Sequence, residues 1–141
     1  TNRTIRLHAG KATGRLVDRR GYQAALVLGL FLLALVMARL GTGPHPYELP
    51  AAALLGGLGF SLFLPGWNGL LAKNLPQENR AAIWGSLMTV EGLGLALGPV
   101  AGGLLWEAFG LPAPFLAGSG IFLALSLFYL LLFRVRKLWR R

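Results

Sequence analysis

A single carboxylate lies inside a long apolar stretch of this sequence. Glu91 is the only charged residue between 81 and 105. In a helix that begins at 81 it would lie roughly 15 Å deep, near the middle of a hydrocarbon layer of about 30 Å. A carboxylate at that depth costs at least about 2.5 kcal/mol and usually faces a cavity or a partner. Glu91 therefore predicts a proton carrier or a counter-ion for a cationic substrate, and the alternative is a protonated side chain that hydrogen-bonds between helices.

Asn68 is the second polar candidate, and it lies in the inner third of another apolar stretch, 50–72. Its amide either lines a polar cavity or hydrogen-bonds to a neighbouring helix, since it carries both donors and an acceptor. We predict that Glu91 and Asn68 belong to a pathway for substrate or protons.

Four apolar segments must position these two residues. Only 13% of the chain is charged, against about 25% in a typical soluble domain. Each segment has about 20 residues or more, enough for a helix to span a bilayer, and none alternates as a membrane strand does. The sequence therefore predicts an all-α membrane protein with one domain and four transmembrane helices, at 21–41, 50–72, 81–105 and 112–133.

The basic residues are segregated along the chain. Thirteen of the fourteen lie in a basic loop at 1–20, in the connection 73–80 or in a basic tail at 134–141, and the connections 42–49 and 106–111 hold none. The positive-inside rule then places both termini in the cytoplasm, and we expect a bacterial cytoplasmic membrane. The net charge of +9 does not indicate nucleic-acid binding, because the basic residues flank apolar spans, where they contact anionic lipid headgroups.

Enzyme and metal chemistry find no support in the sequence. It contains no Gly-x-Ser-x-Gly elbow, no His-Glu-x-x-His and no paired carboxylates at helical spacing. It has no cysteine, and the predicted topology separates its only histidines, His8 and His45, across the membrane. We therefore expect neither an enzyme, nor a metal site, nor a cofactor.

Glycine is concentrated in the second and third predicted helices, which hold eleven of the twenty. Gly94, Gly98 and Gly102 follow a spacing of four that lets helices approach closely. We therefore expect the second and third helices to form the inner pair, with the first and fourth facing lipid. Pro65 and Pro99 predict hinges, because an interior proline removes a backbone hydrogen bond.

Two motifs resemble those of the major facilitator superfamily. The segment GRLVDRRG, 14–21, resembles its cytoplasmic-loop signature, although Tyr22 and Gln23 stand where more basic residues are usual. The segment GLALGPVAGG resembles the glycine–proline signature of drug–proton antiporters, and LPQENRAAIWG resembles the short loop that precedes that helix. The matching residues are Gly14, Asp18, Arg19 and Gly21 in the first motif, and Gly94, Gly98, Pro99, Gly102 and Gly103 in the second.

The resemblance implies a fold and a mechanism. Such transporters have two six-helix halves that rock around a central site. Because the chain ends in the basic run RVRKLWRR, its four helices best match helices nine to twelve; helices three to six are the alternative, since the glycine–proline signature is best known from helix five. Asp18 would belong to a cytoplasmic gate, capping a helix or pairing with arginine, unless the loop is simply solvated.

The expected function is that of a fragment of a secondary active transporter for a small molecule, with proton-coupled efflux as one form. Its expected partners are the lipid bilayer and either the remaining helices or another copy of the chain. The alternatives are a small four-helix exporter that acts as an oligomer and a truncated membrane protein that does not transport.

Overall fold

The computed structural model describes the backbone of residues 2–139 and the side chains of residues 21–139. Four helices account for most of this range, and a short 3₁₀ turn at Pro46–Glu48 precedes the second. All four are long and apolar enough to cross a membrane. The predicted all-α membrane fold with four spans is therefore confirmed. The helices are α1 (Asn2–Gly41), α2 (Leu49–Asn74), α3 (Arg80–Phe109) and α4 (Pro112–Leu138).

Gly21 breaks α1 into two parts. Its backbone has φ 78° and ψ 143°, outside the helical region, and the apolar span is Gly21–Gly41. Residues with a Cβ rarely adopt a positive φ, whereas glycine does so freely. The last glycine of GRLVDRRG therefore meets a backbone requirement at the point where the apolar span begins.

The turn between α3 and α4 is shorter than the sequence predicts. The helix was expected to end at 105, before Glu107, but it continues to Phe109. Gly110 ends it with φ 90°, and its N–H donates a hydrogen bond of 2.8 Å to the Trp106 carbonyl. A charged side chain in the last turn of a helix can reach the membrane surface, so Glu107 does not mark the helix end.

The packed core lies around α1. Leu26 and Leu30 are 0% and 1% exposed, and Phe133 of α4 packs with them. Two serines of α4 donate hydrogen bonds to carbonyls of α1: Ser119 Oγ to Ala34 at 2.8 Å and Ser126 Oγ to Val27 at 3.1 Å. These contacts place α1 between α2 and α4.

Glycines set the distance between α1 and α2. A Cβ added at Gly29 would lie 2.5 Å from the Phe63 backbone nitrogen, and one added at Gly66 would lie 2.6 Å from that of Leu26. The two backbones are therefore in direct contact, as small residues allow in membrane helices. Gly59, Gly66 and Gly69 of α2 face α1, whereas Gly57 does not.

The prediction that α2 and α3 form the packed inner pair is wrong for the described residues. Helix α3 packs only against α4, and more loosely than α1 packs on its neighbours. A Cβ added at Gly94, Gly98 or Gly103 would meet no described heavy atom within 4 Å. Glycine content therefore identified helices that allow close approach, but it did not identify their partners.

The connection between α1 and α2 is held by polar contacts. Arg39 forms an ion pair with Glu48 and donates a hydrogen bond of 2.8 Å to Thr42 Oγ1. This is the one ion pair that the structure describes within residues 21–139. The pair gives Arg39, near the end of the apolar span, a counter-charge.

Candidate functional site

A groove separates α2 from α3. Its volume is about 480 Å³, and it contains both polar residues that the sequence singled out. We call it the α2–α3 groove. The residues that line it are Phe60, Phe63, Leu64, Trp67, Asn68 and Leu71 of α2, and Trp84, Leu87, Met88, Val90 and Glu91 of α3.

Helical spacing explains why these residues share the groove. On α3, residues 84, 87, 88 and 91 recur every three or four positions, and on α2 residues 60, 63, 64, 67, 68 and 71 do the same. Such spacing places side chains on one face of a helix. Helix α1 packs against Gly59 and Gly66, on another side of α2, and so leaves this side towards α3. Of the groove residues, Phe63 and Trp67 also pack against the buried core.

Among the described residues, Glu91 is the only charged one in the lining. It lies eleven positions after Arg80, the first residue of α3, which corresponds to a depth of about 16 Å. Its side chain is exposed and forms none of the ion pairs described for residues 21–139. The Glu91 carboxylate thus faces an open groove rather than a cation of residues 21–139.

Asn68 approaches the same groove from α2. It lies six positions before Asn74, the last residue of α2, at a depth of about 9 Å. Its side chain is exposed and takes part in none of the hydrogen bonds described for the side chains of residues 21–139. The amide is therefore free to bind water or a ligand.

Aromatic rings cover the α2 wall of the groove. The Phe63 and Trp67 rings are stacked, with centroids 6.4 Å apart, and Phe60 lies 6.3 Å from Phe63. Trp84 contributes a ring from α3. The sequence analysis did not predict this aromatic wall. Positions 60, 63 and 67 were detectable as a stripe at helical spacing, but nothing in the sequence indicated what the stripe faces.

The glycine–proline segment continues the same face of α3. At about 100° per residue, Gly98 and Gly102 lie within roughly 20° of Glu91 around the helix. The Cβ position of Gly98 is open, and that of Gly102 is 4.0 Å from Pro114. Beyond Glu91, α3 therefore presents bare backbone to the space in front of it.

The prolines that were predicted as hinges lie inside continuous helices. Pro65 is within α2 and Pro99 within α3, and both helices extend on either side of them. Their role as hinges stays a prediction. The gate-loop residues Gly14, Asp18 and Arg19 lie outside the residues whose side chains are described, and only Gly21 of that motif falls within them.

The chemistry available in the α2–α3 groove is that of a carboxylate, an amide and aromatic faces. Aromatic faces attract cations, and a carboxylate accepts either a proton or a cationic partner. Within residues 21–139, no group of three or more histidine, aspartate or glutamate side chains could hold a metal ion. The groove is therefore suited to binding and to proton exchange.

Comparison with known proteins finds membrane transporters among the relatives of this chain. The chain is 30% identical over 114 residues to the proton-coupled antiporter flippase LtaA of Staphylococcus epidermidis. It is 36% identical over 116 residues to the multidrug resistance protein MdtG of Salmonella arizonae. These alignments cover 79% and 81% of this chain but only 29% and 28% of the relatives, so the chain spans less than a third of their length. No solved structure matches the chain.

One further match, to a protein family, covers almost the whole chain. The sequence profile of the Major Facilitator Superfamily matches residues 12–140, which include both motifs and all four apolar spans. The resemblance seen in GRLVDRRG and GLALGPVAGG is therefore confirmed, and the chain belongs to the Major Facilitator Superfamily of membrane transporters.

Proposed function

We propose that this chain forms part of a proton-coupled transporter that exports a lipophilic cation by alternating access, with the α2–α3 groove in its pathway. The observation that carries the proposal is the position of Glu91. It is a midplane carboxylate that lines an aromatic groove, and no described cation pairs with it. An ionisable residue at such a depth normally marks a substrate or proton pathway.

Glu91 couples substrate movement to proton movement, because its single carboxylate binds either the cation or a proton. The ionised form attracts a cation, and the protonated form does not. A proton that enters from outside displaces the bound cation, and release of the proton inside restores the binding form. Substrate and proton therefore move in opposite directions through one side chain.

The aromatic wall favours a lipophilic cation as the substrate class. Phe63, Trp67 and Trp84 provide apolar surface and faces of negative potential, while Glu91 provides the counter-charge. Asn68 adds one hydrogen-bonding side chain, nearer the end of α2. The relatives' names support the mechanism as well, since LtaA is named a proton-coupled antiporter flippase and MdtG a multidrug resistance protein.

The open faces of α3 support action together with further helices. No described residue of α3 is buried, and its glycine face has open space in front of it. Apolar helices in lipid associate through such small-residue faces. We infer that the remaining helices of a larger transporter cover α3, with this chain in the position of helices nine to twelve; another copy of the chain is the alternative.

The charge pattern supports an orientation for this unit. The proposed topology places both termini and the connection after α2 in the cytoplasm, in a bacterial cytoplasmic membrane. Gly14, Asp18, Arg19 and Gly21 would then form a gate on that side.

The proposal is tested by ethidium accumulation in bacterial cells that lack their main efflux pumps. The complete reading frame in which the chain lies is compared with the 141-residue chain alone. We expect the complete frame to lower ethidium accumulation and a protonophore to abolish the difference, while the chain alone has no effect. Protonophore-sensitive export by the chain alone would favour the small oligomeric exporter. Unchanged accumulation in both would contradict proton-coupled export of lipophilic cations.

A further inference from the structure

A second pocket lies between α1, α2 and α4. It shares no lining residue with the α2–α3 groove. It has a volume of about 300 Å³ and lies where α2 and α4 end. We call it the basic pocket. Phe133 lies at its apolar side, and its polar lining consists of Tyr22, Gln23, Lys73, Asn74, Arg136 and Lys137.

The charge of the basic pocket is not balanced by the described residues that line it. Lys73, Arg136 and Lys137 supply three cations, and no carboxylate of residues 21–139 lines the pocket. The described ion pair, Arg39 with Glu48, lies at the opposite end of α1. Three like charges in one pocket repel one another, so an anion bound between them would stabilise the arrangement.

Lys73 and Arg136 each have one contact that positions them at the ends of the apolar spans. The Lys73 Nζ lies 5.5 Å from the centroid of the Tyr22 ring, and that ring makes an edge contact with Phe133 at 6.2 Å. Arg136 Nη1 donates a long hydrogen bond of 3.5 Å to Asn74 Oδ1, which leaves its other N–H groups for a ligand. Tyrosine and basic side chains at the end of a span lie at the depth of lipid headgroups.

This combination is the chemistry of a phosphate site. Arginine binds phosphate oxygens through two parallel N–H groups, lysine adds a point charge, and the amides of Gln23 and Asn74 supply neutral donors. A free phosphate and a phospholipid headgroup offer the same oxygens. We favour the phospholipid headgroup, because the pocket lies at the helix ends, where apolar surface meets the headgroup layer. Basic pockets between membrane helices attract anionic headgroups.

We propose that the basic pocket binds the phosphate group of an anionic phospholipid and that the bound headgroup joins the end of α4 to α1 and α2. Each cation near an anionic headgroup strengthens binding about fivefold, so loss of two weakens it roughly 30-fold. The site does not depend on Glu91 or on transport. A failure of the transport proposal would therefore leave it intact.

The test measures lipid binding to the full chain in a nonionic detergent by native mass spectrometry. Phosphatidylglycerol is the probe, phosphatidylcholine is the neutral control and inorganic phosphate is the soluble competitor. The double variant Lys73→Gln/Arg136→Gln removes two pocket cations. Its matched control, Arg80→Gln/Arg134→Gln, removes the same charge from residues that do not line the pocket.

We expect phosphatidylglycerol to bind more tightly than phosphatidylcholine, with the roughly 30-fold loss confined to the pocket variant. The variant Lys73→Arg/Arg136→Lys should retain binding, which separates loss of charge from loss of fold. Equal loss in the pocket and control variants would overturn the proposal, as would equal binding of the two lipids. Inorganic phosphate that bound as tightly as the lipid would overturn the lipid as the ligand.

Discussion

Replacing Glu91 by Gln is expected to lower proton-driven ethidium export by roughly tenfold or more, a loss of at least about 1.4 kcal/mol in the coupled step. Glutamine keeps the size and most of the polarity of the side chain, but it carries no charge and releases no proton. Since no other described residue of the α2–α3 groove is charged, none of them can replace Glu91. The measurement is ethidium efflux driven by a pH gradient, in vesicles that contain the complete reading frame.

Two variants make the result for Glu91 specific. Glu107→Gln removes the same charge from the same helix, but Glu107 is exposed in the last turn and does not line the groove. It should transport as the unmodified protein does. Glu91→Asp should recover part of the activity, because it restores a carboxylate at the same depth. Full transport by Glu91→Gln would show that the residue only packs between helices.

Replacing Gly66 by Ala is expected to destabilise the helix bundle. The added Cβ would lie 2.6 Å from the Leu26 backbone nitrogen and 2.8 Å from its Cα, distances that require a backbone to move. Overpacking of this kind costs about 1–3 kcal/mol. Gly29→Ala should act in the same direction, since its Cβ would lie 2.5 Å from the Phe63 nitrogen. The measurement is the midpoint of thermal unfolding in detergent, followed by tryptophan fluorescence.

Gly57→Ala is the matched control for this prediction. Gly57 lies in the same helix, and a Cβ at this position would meet no described atom within 4 Å. Because alanine is favoured over glycine in a helix by about 1 kcal/mol, this variant should unfold at the same temperature or slightly higher. An equal fall in the unfolding midpoint for Gly57→Ala and Gly66→Ala would contradict the close α1–α2 interface.

The fold class was predictable from the sequence because lipid allows few structures. A run of about 20 apolar residues in a bilayer must pair its own backbone, so helices were the only solution for four such runs. The family was predictable from two motifs whose order matched the topology. Helix pairing was not predictable, because nothing in the sequence sets Leu26 and Leu30 apart from the other leucines. The structure shows that these two are the buried leucines of residues 21–139.

The candidate site was predictable in part. Glu91 and Asn68 were conspicuous because polar side chains are costly in apolar spans. That both line one groove depends on how α2 and α3 are rotated. The contacts of Gly29 and Gly66 set the rotation of α2 against α1, and the packing of α3 on α4 sets that of α3. The basic pocket was hidden for a similar reason. The basic residues were visible in the sequence, but the sequence did not show that Lys73 of α2 and Arg136 of α4 line the same pocket.

The central claim is that the α2–α3 groove is the water-filled pathway, and cysteine labelling tests it most directly. This chain contains no cysteine, so single cysteines can be introduced into the complete reading frame after any cysteine elsewhere is replaced. Met88 lines the groove and Leu131 of α4 does not. Leu131 is a matched control for Met88. Met88 is 49% exposed and lies about 12 Å from the start of α3, and Leu131 is 61% exposed and lies about 10 Å from the end of α4.

We expect a water-soluble maleimide to label Met88→Cys, ethidium to slow that labelling, and Leu131→Cys to stay unlabelled because it faces lipid or protein. Labelling of Met88→Cys as slow as that of Leu131→Cys would contradict a water-filled groove between α2 and α3.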